Sequence, residues 1–271
     1  MFSDMAFDIN AYLSDSIVRF QIQQIGYLPV SQVSYVVLED GQIFYGMPEE
    51  KGTISEKIII GAGSLIKELE FRYFQIGRRY TQHSKYQYKP GDVVVELGAY
   101  LGFYSMYAAK QVGPTGRVIS VEMIPNNYAI LKKNLSTNYP QSTVAINCGI
   151  HRRKGVGTAY LGRNQIAGFR KDVVARFSKT MREIKVKMET VDHLLEENAV
   201  THVDLMIIQV NGNEIDAFEG MQHAISMTEN FSIAAPYNSP GSDHQKEIGA
   251  YLHTNGFDVE LKSGWIFANR R

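Results

Sequence analysis

The sequence predicts an α/β fold, a mostly parallel sheet with helices on both faces. Three observations carry this. Continuous apolar runs of strand length alternate with segments of helical composition from Asp92 onward, as in sheets buried on both sides. The first strand runs into a glycine-rich turn that opens a helix, Glu96-Leu-Gly-Ala-Tyr-Leu-Gly102. The chain closes on a strand pair, so five strands and that pair make seven. At 271 residues the chain is at the upper edge of one core. We divide it into an N-terminal α+β extension, residues 1–85, and a main domain, residues 86–271.

In the extension, the segment from Val33 to Tyr45 places Asp40-Gly41 between two β-rich arms and predicts a hairpin. Ser64 to Arg79 has apolar residues at helical spacing, and Lys89-Pro90-Gly91 marks a turn. The main domain then reads as a strand over 92–97, a helix over 102–111, and a strand over 116–123. A helix over 125–138 has proline in its first turn and leads to a strand over 143–148. A fourth strand over 204–211 precedes a helix from Asn213 to about Ala224. A fifth over 231–236 precedes a helix over 242–255, and 257–260 pairs with 265–269. The interval 151–190 breaks the rhythm and reads as a short strand around Ile184–Met188 within a basic loop.

With 44% apolar and 21% charged residues, the composition excludes extended disorder and fibrous repeats. No apolar run reaches the ~18 residues of a membrane span. The acidic start lacks the pattern of a secretory signal, so a cytoplasmic location is expected. One cysteine, Cys148, excludes an internal disulfide, and the seven histidines show no metal-ligand spacing, so no metal is expected. Net charge is zero but unevenly spread. Residues 151–187 carry eleven Lys/Arg against two acids, and residues 188–245 carry ten acids and no Lys/Arg. Either the basic stretch steers an anionic partner, or the two neutralise each other across one surface.

The glycine-rich turn holds the chemistry. Gly98, Ala99 and Gly102 let a ligand approach bare backbone at a helix N-terminus. A dinucleotide site needs G-x-G-x-x-G, which is absent, and the Glu96 carboxylate would repel a pyrophosphate. It would attract an ammonium or a sulfonium, and S-adenosylmethionine carries both and no phosphate. Glu122, at the end of the next strand, is placed to accept hydrogen bonds from both ribose hydroxyls. Asn147 and Cys148 end the third strand, where an adenine ring would rest.

On these residues the chain resembles the FkbM-type, S-adenosylmethionine-dependent methyltransferases. The matching positions are Glu96, Gly98, Ala99, Gly102, Glu122, Pro125, Asn127, Leu131, Asn134 and Asn138, with further likeness at Thr190-Val-Asp-His-Leu-Leu195 and Asp204–Met221. The resemblance covers about residues 85–260. It implies a Rossmann-like class I methyltransferase fold, S-adenosyl-L-methionine as cofactor, and O-methylation of a small molecule or sugar. Tyr100, Met123 and Gln209 join the expected cofactor contacts. The chain departs from the family pattern where Tyr100 replaces Asn and Met123 replaces Pro. Gln209 and Asn211 replace two acids, and Glu214 survives. A carboxamide donates and accepts hydrogen bonds but is no general base.

The candidate catalytic residues are therefore Glu214, Asn211 and His244. Candidate substrate contacts are His151, Arg152 and Arg153 in the basic interval and Tyr237 and Asn238 after the fifth strand. The expected function is methylation of a small-molecule or glycan acceptor, of anionic character if the basic interval grips it. The alternative is a catalytically degenerate cofactor-binding partner. Without a recognisable RNA-binding module, a nucleic-acid substrate is not expected. Residues 1–60 carry no motif and offer a substrate lid or a homodimer contact.

Overall fold

The computed structural model describes residues 21–49, 54–76, 86–163, 166–234, 243–262 and 264–271. Its strands fall into three sheets. The first holds β1 (Ile22–Leu28), β2 (Val33–Leu38) and β3 (Ile43–Pro48), all antiparallel. Gly41 turns the β2–β3 hairpin at φ 84°, and the Asp40 carboxylate accepts the Gln42 N–H at 3.2 Å. β1 went unforeseen because its exposed Gln23 and Gln24 break the apolar signal.

Against this sheet packs α1 (Ile54–Glu68), which continues as a wider π-type stretch, Leu69–Ile76. The helix thus starts ten residues earlier than its apolar spacing predicts, and residues 77–79 lie outside the described residues.

The central sheet has seven strands in the order β13-β14-β12-β11-β4-β5-β6. These are β4 (Val93–Leu97), β5 (Arg117–Val121), β6 (Thr143–Ile146), β11 (Leu205–Ile208), β12 (Asn230–Ala234), β13 (Phe257–Lys262) and β14 (Trp265–Arg270). Five run parallel, and β14 pairs antiparallel with both β12 and β13. β11 is buried at every position, as its run of Leu, Met and Ile requires. The order reverses at β4, so the carboxyl ends of β4, β5 and β11 frame a crevice.

The helices α2 (Phe103–Val112) and α3 (Pro125–Asn138) follow β4 and β5. They bury Phe103, Met106, Leu131 and Leu135 against Val36, Phe44, Leu65 and Leu69 of the N-terminal unit. Asn134 and Asn138, one turn apart on α3, treat β3 as a strand edge. Asn134 accepts the Tyr45 N–H at 2.7 Å. Asn138 accepts the Ile43 N–H at 2.8 Å and donates to the Ile43 carbonyl at 2.7 Å. Two helix side chains so continue the hydrogen bonding of an otherwise exposed edge.

The interval 151–190 is not a loop. β7 (Gly149–Ile150), β8 (Gly155–Gly162), β9 (Ala167–Gly168) and β10 (Met181–Glu189) form a third sheet, ordered β7-β10-β8-β9, with α4 (Lys171–Phe177) between β9 and β10. Along β10, Val186 and Met188 are buried while Lys185 and Lys187 are exposed. That period-2 pattern marks a strand with one wet face.

The remaining helices are α5 (Val191–Glu197), α6 (Glu214–Glu219), α7 (Ala224–Met227) and α8 (Asp243–Thr254). The single helix expected over 213–224 ends at Gly220, which caps α6. The chain resumes as α7 because the Asp192 carboxylate accepts the N–H groups of His223 and Ala224.

Candidate active site

The crevice at the sheet's carboxyl edge is a cavity of ≈ 380 Å³, within the range that holds small cofactors and substrates. A smaller recess of ≈ 10 Å³ extends beside Glu96, Ala99 and Phe103, and Gly98, Tyr100, Gln209 and Arg72 border both.

The turn after β4 is built so that backbone meets backbone. Gly98 has φ 92°, and a Cβ there would lie 2.1 Å from the Gln209 carbonyl oxygen, so β4 and β11 touch where no side chain fits. Gly102 has φ 80° and its missing side chain clears Leu131 instead. It shapes the entry to α2 and is not among the residues lining the cavity.

Glu96 and Glu122 are both buried, at 3% and 6% exposure. Burial pushes the Glu96 carboxyl up to about 8, opposed by a hydrogen bond from the Ser105 hydroxyl and by the nearby charge of Arg72. Glu122 is pushed up to about 7 by burial, against hydrogen bonds from the N–H groups of Ile124 at 2.8 Å and Tyr100 at 2.9 Å. One carboxylate therefore ties the turn after β5 to the turn after β4. Tyr100 holds φ 53°, the left-handed region that asparagine tolerates better than tyrosine, and the Arg72 guanidinium lies 4.5 Å from its ring centroid.

Met123, Cys148, Gln209 and Asn211 line the cavity. Burial pushes the Cys148 thiol up to about 12. Asn147 does not reach the cavity wall. Its amide donates to the carbonyls of Glu122 at 2.8 Å and Met123 at 3.3 Å and braces that turn. Asn211, at φ 53°, donates to the Ala167 carbonyl at 2.8 Å, and Asn213 donates to the Ile150 carbonyl at 2.7 Å.

Glu214 is 1% exposed. Its carboxylate accepts the Gly212 N–H at 3.0 Å and faces His244 Nε2 at 3.1 Å, so the two catalytic candidates from different helices form one pair behind the cavity wall. The candidate substrate contacts fare differently. Arg152 is exposed and bridges Asp216 at 3.2 Å and Glu219 at 3.1 Å. Arg153 is exposed, and His151 sits 3.7 Å from Asp216, with burial lowering its pKa. None of the three lines the cavity, and here the opposite charges neutralise each other across one surface. Tyr237 and Asn238 lie outside the described residues.

The cations that do line the cavity, among the described residues, are Arg72 and Arg163. Arg163 belongs to the basic interval but follows β8, and Phe169 and Phe177 join it from the same insert. Nothing local in the sequence sets these apart, because their positions follow from the third sheet folding over the crevice. Among the described residues no cluster of His, Cys, Asp and Glu is suited to a metal, and no helix is long and apolar enough to cross a membrane.

A seven-stranded sheet of this order and direction, with a glycine turn after the central strand and an acid ending the next, defines a class I methyltransferase. The chain belongs to the FkbM family of these S-adenosylmethionine-dependent enzymes, the family's methyltransferase FkbM domain matching residues 96–257. A curated relative, 31-O-demethyl-FK506 methyltransferase FkbM of Streptomyces tacrolimicus, is 23% identical over 232 residues, covering 74% of this chain and 86% of the relative. Among solved structures, fibrillarin of Aeropyrum pernix with bound S-adenosyl-L-methionine gives a TM-score of 0.45 at 14% identity, covering 92% of this chain and 99% of that chain. Precorrin-6y C5,15-methyltransferase of Geobacter metallireducens gives 0.45 at 11% identity, covering 73% and 88%.

Proposed function

We propose that this methyltransferase acts on a hydroxyl oxygen of a small molecule or sugar, with the buried Glu214–His244 pair, set behind the cavity wall, as the acid–base element nearest the acceptor. The observation that carries the reading is the 3.1 Å contact between His244 Nε2 and the buried Glu214 carboxylate. That contact favours the tautomer with the proton on Nε2, which leaves Nδ1 as the acceptor of the pair. The relative from Streptomyces tacrolimicus is named for methylation at an oxygen and is matched over most of its length, which supports the same reading.

The cavity residues fit the cofactor. Gly98 lines the cavity with bare backbone, because a Cβ there would collide with the Gln209 carbonyl. Each Glu122 oxygen accepts one backbone N–H and keeps capacity for a ribose hydroxyl. Asn127 Oδ1 is buried at the cavity wall without a hydrogen-bond partner, an acceptor suited to an adenine amino group between Met123, Ile124 and Ile150. Glu96 answers positive charge on the amino-acid end. When bound, S-adenosylmethionine supplies a methyl group on a positively charged sulfur. The chain's own work is to hold the acceptor in line, exclude water beneath the insert, and take up one proton.

On the acceptor side, Arg163 offers the anion contact that the basic interval promises, with Phe169 and Phe177 against an apolar body. The described part of residues 1–85 packs on α2 and α3 and brings Arg72 to the cavity. The test is incubation with methyl-labelled cofactor and a metabolite extract. Label should enter a small-molecule fraction with wild type, and fall at least a hundredfold with His244→Ala. Labelling of protein or RNA alone, or full activity in His244→Ala, would refute the assignment.

A further inference from the structure

Arg72 lies in the aromatic-rich segment Phe71–Gln75, whose sequence fits core packing of a leading helix or a lid over the cofactor. The π-type stretch Leu69–Ile76 turns it inward, such wide turns recurring at functional sites. Glu68, one turn earlier, holds its Nε, and the guanidinium stacks on Tyr100 at 4.5 Å. Arg72 borders both the cavity and the recess that contains Glu96, whereas Arg163 borders the cavity alone.

Arg72 therefore stands in the cavity at the mouth of a recess, itself no larger than about one water molecule, that holds the buried Glu96 carboxylate, with the bare turn at Gly98 between them. A free α-amino acid group is a zwitterion that needs both signs. Glu96 matches the ammonium, and it and Arg72 border the same recess. We propose that Arg72 binds the carboxylate of the cofactor's methionine moiety, presented by the Tyr100 ring. The proposal rests on the cofactor reading above and adds a residue from outside the family-matched segment, residues 96–257. A planar guanidinium suits a carboxylate because it offers two parallel donors. It also gives the left-handed Tyr100 a purpose, since the ring is the platform on which that cation rests.

The test is calorimetric titration of S-adenosylmethionine and of decarboxylated S-adenosylmethionine into wild type, Arg72→Ala and Arg72→Lys. Wild type should prefer the carboxylate-bearing ligand by about tenfold, or about 1.4 kcal/mol. Arg72→Ala should bring the two ligands within about twofold, and Arg72→Lys should recover part of the preference. A preference that survives in Arg72→Ala, even with both ligands weakened, would overturn the proposal and leave Arg72 a support for Tyr100. Equal binding of both ligands by wild type would overturn it as well. Wild type that takes up neither ligand would instead refute the cofactor site itself.

Discussion

A buried acid with a carboxyl near 8 makes cofactor binding a proton-releasing event. At pH 7 a group of pKa about 8 is about nine-tenths protonated, so the ligand-free Glu96 is mostly neutral. An ammonium or sulfonium beside it favours the ionised form and pulls the pKa down. Binding at pH 7 should then release close to one proton. The ionised fraction rises from about 1% at pH 6 to about half at pH 8, so affinity should tighten by about fiftyfold over that interval and level off above it. Titration calorimetry in buffers of different ionisation enthalpy reads the proton directly. Glu96→Gln removes this dependence, leaving whatever Glu122, near 7, contributes. Stability follows the same sign. A carboxyl raised from 4.5 lends stability below about pH 4.5 and loses it as pH climbs toward 8. Glu96→Gln should therefore raise the ligand-free Tm at pH 8 and leave it nearly unchanged at pH 5. Flat affinity from pH 6 to 8, with a binding enthalpy indifferent to buffer, would refute the reasoning.

Other residues yield sharper single outcomes. Gly98→Ala puts a methyl 2.1 Å from the Gln209 carbonyl at φ 92°, so cofactor binding should be lost, with a stability cost of about 1–3 kcal/mol in chemical denaturation. Arg163→Ala should raise the acceptor KM, the effect shrinking as salt rises, while cofactor affinity holds. Arg152→Ala, cutting ion pairs to Asp216 and Glu219 away from the cavity, should leave both unchanged. Cys148, buried and with its thiol near 12, should resist a thiol reagent at pH 8 in the folded protein and react at once after denaturation.

The parts of this molecule that sequence reveals are those where one segment suffices. Val93–Leu97 is apolar because both faces of its sheet are covered, and Asp40-Gly41 dictates its hairpin locally. Glu96, Gly98 and Glu122 stand out because their chemistry sits at fixed spacing around one strand-turn-helix unit. The third sheet is hidden by its composition. Counting the charges of residues 151–187 draws attention to a basic patch, while the alternation of Val186 and Met188 with Lys185 and Lys187 carries the structure. Arg72 and Arg163 fall in segments whose composition draws notice, but their individual places follow from a long-range approach through a π-type stretch and an inserted sheet. The Glu214–His244 pair joins residues thirty positions apart and needs the fold to be seen.

Asn211 shows what the loss of a family acid means here. Its amide donates to the Ala167 carbonyl at 2.8 Å, and a Cβ on neighbouring Gly168 would sit 3.2 Å from the Asn211 carbonyl oxygen, so the turn after β11 lies flush against the insert. A carboxylate at 211 would face that carbonyl with two acceptors and no donor. Asn211 is thus a clip that holds the third sheet over the cavity, and in the proposed mechanism the acid–base role falls to Glu214 and His244. Asn211→Asp is nearly isosteric and tests this. For a part-buried group it should cost about 0.5–1.5 kcal/mol, the net worth of the hydrogen bond lost, and lower Tm by a few degrees. It should also raise the acceptor KM as the insert loosens. An Asn211→Asp enzyme that keeps its Tm and gains activity, alone or with Gln209→Asp, would show instead that position 211 awaits a base and that the chain had lost one.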